Sequence, residues 1–125
     1  MTFLNYIKLD KTLPDLKYAH DEDGCFDFLS GIDIVIPANT KKPTMVPTGM
    51  KFEIPAGYEL QVSLTQKLLS SGILLLNNKI VSNTSSETIF SVFNLSKEEI
   101  KLRKGEKIAH GKIFNYERLV LKNVE

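Results

Sequence analysis

The groups that could carry proton transfer or phosphate chemistry are few and unevenly spread along the 125 residues. All six aspartates lie between Asp10 and Asp33, so no aspartate exists in the rest of the chain. Fourteen of the sixteen basic residues are lysine, which leaves Arg103 and Arg118 as the only guanidinium groups. A guanidinium grips phosphate or carboxylate through a planar fork, whereas a lysine ammonium acts as a point charge. Between Asn77 and Asn94 the single carboxylate is Glu87. Asn83, in the same span, can position a water by hydrogen bonding but cannot take its proton at pH 7. His110 reads as a structural strand residue or, near a subunit boundary, as a pH-sensitive contact. His20 with Asp21, Glu22 and Asp23 reads as a solvated acidic loop, because no second ligand pair has the spacing of a metal site. Cys25 follows a glycine and has no basic neighbour in sequence, the pattern of a small packed thiol.

These groups have to be held by strands. Turn signals recur at Pro37, Pro43, Pro47-Thr48-Gly49, Pro55-Ala56-Gly57, Ser70-Ser71-Gly72, Asn77-Asn78 and Lys104-Gly105. Their spacing is near the ~8–12 residues of sandwiches and barrels. Between them Ile34 and Ile36, Phe52 and Ile54, Leu60 and Val62, and Ile100 and Leu102 alternate with period two, the mark of half-buried sheet. The continuous run Ile73 to Leu76 predicts a strand covered on both faces and, in a small barrel, a subunit contact. Thr65 to Leu69 allows one helical turn. Ser96-Lys97-Glu98-Glu99 has a capping-box pattern, but the alternation of Ile100 to Arg103 after it predicts strand. The expectation is a single all-β domain over residues 1–125, of about ten short strands with at most one or two helical turns.

Composition narrows the function classes. Hydrophobic residues at 42% and charged residues at 25% are globular values, which excludes a disordered or fibrous chain. A net charge of +1 offers no general attraction for a polyanion, so generic nucleic-acid binding is not expected while single nucleotides stay open. One cysteine fits a reducing, cytoplasmic compartment. No apolar run approaches the ~18 residues of a membrane span, and the N-terminus carries charges where a signal peptide needs an apolar stretch.

One stretch is specific. Val46-Pro47-Thr48-Gly49, an alternating strand, and then Ile54-Pro55-Ala56-Gly57-Tyr58 resemble the deoxyuridine triphosphatase (dUTPase) family. Leu13-Pro14 with Tyr18, Gly24-Cys25-Phe26-Asp27-Phe28, Gly72-Ile73 through Asn77, Asn94-Leu95-Ser96, and Lys104 through His110 are similar to further segments of that family, in its order. The resemblance implies a jelly-roll β-barrel, a homotrimer, and deoxyuridine-nucleotide sites at subunit boundaries. It implies that Asp27 lies near Mg²⁺, that Asn77 helps hold uracil, and that Thr65, Gln66, Lys67 and His110 lie along the phosphates; read without it, Asp27 suits a structural turn and Asn77 the cap at a strand end.

Departures from the family pattern fall on chemistry. Thr65-Gln66-Lys67 stands where the family has an Arg-Ser-Gly phosphate cradle, and His110 stands for a Gln. The water-activating Asp has no counterpart: counting forward from Asn77 reaches Asn83, and counting back from Asn94 reaches Val81. No glycine follows Gly111, so the Gly-rich tail motif is missing, and residues 114–125 resemble the strand that family members exchange between subunits. The leading expectation is therefore a catalytically degenerate dUTPase-fold homotrimer that acts by binding a regulatory protein or a nucleotide, in a viral or phage setting. The alternative is an active, Mg²⁺-dependent dUTP diphosphatase with Glu87 as base and Lys67 on phosphate, although Glu87 aligns better with a structural Glu that follows the family's motif. A third reading is a structural trimer with neither ligand nor partner.

Overall fold

The computed structural model describes residues 2–18, 24–39, 41–80 and 86–125. It contains β1 (Asn5–Lys8), β2 (Cys25–Leu29), β3 (Ile34–Ile36), β4 (Thr44–Pro47), β5 (Met50–Glu53), β6 (Tyr58–Leu64), α1 (Gln66–Ser70), β7 (Ile73–Leu75), β8 (Lys79–Ile80), β9 (Ile89–Asn94), β10 (Ile100–Leu102) and β11 (Lys107–Asn115). The strands form a four-stranded sheet β2-β11-β6-β8, a three-stranded sheet β4-β9-β7, and the pairs β1-β5 and β10-β3, all antiparallel.

Period-two alternation sends one side of each strand into a shared core. Phe26 and Phe28 of β2, Phe52 of β5 and Phe90 of β9 are all buried, with Phe28 at the centre. The rings of Phe52 and Phe90 both meet Phe28 edge-on, with centroids 5.5 and 5.1 Å away. Edge-to-face contact suits the ring quadrupole and adds to the gain from burial. β11 crosses this cluster at Gly111, which lies opposite both Phe26 and Val62. A Cβ at Gly111 would come within 2.6 Å of Phe28 Cε2 and 2.9 Å of Phe26 Cε2.

The turns use the residues expected of them. Gly49 has φ +70°, a left-handed conformation that favours glycine. Its carbonyl accepts from the Leu9 N–H at 2.7 Å, which ties the end of β1 to the β4–β5 turn. Thr48 is buried and donates its hydroxyl to the Thr88 carbonyl at 2.7 Å. Asn94 is also buried: its Nδ2 donates to the Glu98 carbonyl at 2.8 Å and its Oδ1 accepts from the Ser96 hydroxyl at 2.7 Å. That side chain closes residues 96–99 as a turn, so the capping-box pattern there makes no helix and β10 follows. The single helical turn falls where the sequence allows it, with Thr65 as its N-cap.

Two expectations are altered. Within one chain the Ile73–Leu76 run is covered on one side only: Ile73 is buried, whereas Leu74 and Leu76 stay about half exposed, because β7 is an edge strand whose outer face no described residue covers. Phe114 and Asn115, expected in the exchanged segment, instead finish β11 opposite Glu59 and Tyr58 of β6. Residues 116–125 hold no strand, and Leu119, Val120, Leu121 and Val124 are exposed.

Asp10 clamps the N-terminal turn. The Lys104 ammonium at 2.5 Å, and then the Thr12 hydroxyl and amide, hold its carboxyl well below the usual carboxylate range. Lys104 also donates its backbone N–H to Asp33 Oδ1 at 2.7 Å, so the clamp joins three separate loops.

Two measurements check this frame. Gly111→Ala is expected to destabilise by about 1–3 kcal/mol in urea unfolding through overpacking against the two phenylalanine rings. The depressed acidity of Asp10 means that its contribution is present above the unfolded value of about 3.9 and is lost as pH falls through the folded value. Asp10→Asn should therefore lower Tm at pH 7, and its difference from wild type should shrink as the pH is taken below about 4.

Candidate functional site

The residues singled out by sequence fall into two groups. The first sits where β6, β11 and β2 run side by side. Thr65 leaves β6 and donates its N–H to the Ile108 carbonyl at 3.0 Å, which fixes the start of α1 against β11. Gln66 Nε2 donates to the Ser70 hydroxyl at 3.0 Å along the same turn. Lys67 is 81% exposed and its Nζ lies 3.7 Å from Glu106 Oε2, a loose surface pair of small energetic value. His110 stands opposite Asp27 on β2 and opposite Ser63 on β6.

Asp27 is the most constrained member. Lys107 Nζ lies 3.1 Å and His110 Nδ1 lies 3.3 Å from the same oxygen, Oδ1. That oxygen is buried and accepts no hydrogen bond of good geometry, so charge rather than a directed bond compensates it. In an unbroken strand, residues three apart point to opposite faces. A shift of register between Lys107 and Ala109 puts an extra residue into β11 and brings Lys107 and His110 to the same carboxylate. Sequence reasoning missed Lys107 for this reason, since nothing in the residue types marks the bulge.

The second group is Asn77 and Glu87. Asn77 Nδ2 donates to the Ile89 carbonyl at 2.7 Å, and its Oδ1 accepts from the Ser91 N–H at 2.8 Å. The side chain thus continues the β7–β9 ladder past the end of β7. Glu87 Oε2 accepts from the Gly49 N–H at 2.8 Å. Both residues line one cavity of about 230 Å³, together with Lys79, Ile80, Ser86, Thr88 and Ile89. Asp27, Lys67 and His110 do not line it. Asn83, Val81 and the His20 cluster lie outside the described residues.

Geometry therefore offers a carboxylate oriented by a backbone amide beside a carboxamide in a small cavity. At the neighbouring sheet end it offers an exposed lysine and an imidazole. The described residues contain no helix long and apolar enough to cross a membrane.

Comparison with known proteins gives these features a setting. The dUTPase family model matches residues 11–115. A deoxyuridine 5'-triphosphate nucleotidohydrolase of Clostridium kluyveri is 33% identical over 110 residues, covering 86% of this chain and 76% of that one. The corresponding protein of Caldanaerobacter subterraneus subsp. tengcongensis is 29% identical over 102 residues, covering 79% and 69%. Among solved structures, a Staphylococcus bacteriophage 80alpha dUTPase with dUPNHPP superposes with a TM-score of 0.83 at 19% identity, covering 100% of this chain and 89% of that one. The mostly-strand architecture with one short helix matches the all-β jelly-roll of such proteins. Over the greater part of its length, from residue 11 to residue 115, this chain belongs to the dUTPase family.

Proposed function

We propose that the chain hydrolyses deoxyuridine triphosphate to the monophosphate and pyrophosphate. The observation that carries this reading is the cavity shared by Asn77 and Glu87, in the part of the chain that resembles the family's uracil-binding strand and the hairpin after it. Relatives named as nucleotidohydrolases, matched over most of this chain, favour hydrolysis over a binding-only role. In this reading the cavity takes the deoxyuridine, with the second Asn77 amide N–H left for the base. Glu87 is the base that removes a proton from the attacking water, its carboxylate held in orientation by the Gly49 N–H. Lys67 meets the phosphate chain as a point charge, with Thr65 and Gln66 beside it and His110 as a further contact.

Magnesium needs separate treatment. No group of three or more His, Cys, Asp or Glu among the described residues is placed to hold a metal ion, and the Asp27 oxygen already faces two nitrogens. Among the described residues the side chains do not fit a protein-held Mg²⁺. The ion enters this reading as part of the substrate, the Mg²⁺ complex of dUTP, as is common where phosphates supply most of the ligands.

Self-association is part of the proposal. The outer face of β4-β9-β7 presents Met45, Pro47, Ile89, Ser91, Phe93, Leu74 and Leu76, with no charged residue among them. The outer face of the other large sheet carries Asp27, Lys107, His110, Lys112 and Lys79. An uncharged, half-exposed sheet face supports burial against further copies in a homotrimer. A cytoplasmic setting is consistent with the lone Cys25.

A second reading keeps binding without turnover, with a nucleotide or a regulatory protein as ligand. It is favoured by one observation: Asn77 and Glu87 both spend hydrogen-bonding capacity on the chain's own backbone. Pyrophosphate release from dUTP with Mg²⁺ separates the two. Sustained release is expected, and Glu87→Gln should lower kcat by about 10²–10⁴-fold; full turnover in that variant removes Glu87 as base. A thermal shift with dUTP but no release above a metal-free control selects the second reading. For the assembly, Leu74→Glu should convert a trimer to smaller species in light scattering after size exclusion, and an unchanged mass would place the contact elsewhere.

A further inference from the structure

Asp27 is where the family resemblance and the geometry part company. The resemblance places a magnesium ion near this carboxylate; the structure places a lysine ammonium there. Lys107 Nζ and His110 Nδ1 lie 3.1 and 3.3 Å from Oδ1, and the oxygen is buried. Asp27 also borders a cavity of about 210 Å³ lined by Pro14, Asp15, Leu16, Lys17, Leu29 and Met50. The second carboxylate of that cavity, Asp15, is paired with Lys8 at 2.7 Å. Each carboxylate on which a divalent ion could settle there already has a lysine. Mg²⁺ requires oxygens at about 2.0–2.1 Å in a near-octahedral shell. At Asp27 a dication would enter against a neighbouring ammonium, and their repulsion is weakly screened where the oxygen is buried.

We propose that the Lys107 ammonium, with the His110 imidazole beside it, occupies the cation position of Asp27, so that this chain has an internal counter-ion where a protein-bound divalent metal would sit. The β11 bulge is the structural device, because it delivers Lys107 to a face that strand periodicity denies it. Divalent metal then reaches the phosphate region only as the companion of a triphosphate. The inference builds on the nucleotide site proposed above, but its direct test uses metal alone and does not depend on turnover.

Mn²⁺, a spectroscopic substitute for Mg²⁺, is titrated into the full-length chain without nucleotide and its free concentration is read by electron paramagnetic resonance. The wild type should show no one-per-chain binding at sub-millimolar metal. Lys107→Met, which keeps the stem but removes the charge, should raise Mn²⁺ affinity at least about ten-fold by freeing an oxygen ligand. Adding Asp27→Asn to that variant should abolish the gain. Circular dichroism establishes that each variant is folded, and Lys107→Gln serves if the Met variant is not. Stoichiometric Mn²⁺ binding by the wild type that Asp27→Asn removes would overturn the proposal. So would a folded Lys107 variant with no gain. Failure of dUTP turnover, by contrast, would count against the hydrolase reading and leave this result standing.

Discussion

Strand β11 can lie between β2 and β6 over the aromatic cluster only because Gly111 presents no side chain to Phe26 and Phe28. The rest of the candidate site is a consequence of that register. With Gly111 set opposite Phe26 and Val62, His110 must face Asp27 on one side and Ser63 on the other, and Ile108 must accept from Thr65. A one-residue slip would turn every side chain of β11 to the opposite face, driving His110 and Lys112 toward the phenylalanines. The cost of burying those polar groups is what fixes the register. The chemistry-bearing face is therefore placed by the packing of the other face.

A second junction works through the backbone. Gly49 donates to Glu87 and accepts from Leu9, while Thr48 reaches the Thr88 carbonyl. These bonds tie the β4–β5 turn to the segment before β9 and to the end of β1. Glu87 consequently has two demands on one side chain. As a turn tie it needs its carboxylate fixed; as the proposed base it would need an oxygen that faces substrate. A carboxylate has two oxygens and about four lone-pair sites, so one Oε2 bond leaves room for the second task. Asn77 is in the same position, with one amide N–H and its oxygen on β9 and one N–H remaining.

Much of the frame was legible in sequence because it depends on period and turn chemistry. The pairs Ile34/Ile36, Leu60/Val62 and Ile100/Leu102 fall within β3, β6 and β10, the turn at Thr65 is helical, and residues 96–99 are not. The family was legible because glycine and proline punctuation is set by backbone conformation, as at Gly49 with its positive φ. What stayed hidden depends on contacts between distant residues. Pairing of Asp27 with Lys107 needs the bulge, and pairing of Asp10 with Lys104 joins loops 94 positions apart, 104 less 10. Neither leaves a local pattern. Asn77 was legible as a residue worth naming, but its bonds to β9 follow from strand order alone, and strand order is not written in residue types.

The scarcity of arginine takes on a structural meaning in this frame. Lys67 and Lys107 both lie near this sheet end, and their surroundings differ. Lys107 lies 3.1 Å from a buried carboxylate oxygen, and moving it toward a ligand would leave that oxygen to the His110 imidazole alone. Lys67 is 81% exposed and 3.7 Å from Glu106, so little is lost when it turns elsewhere. An arginine fork could satisfy a carboxylate and a phosphate at once through its five donors; a lysine has one compact charge and must commit it. Lys107 therefore stays with Asp27 inside the sheet, and Lys67 at the surface is the lysine that the proposed reading turns toward an anion.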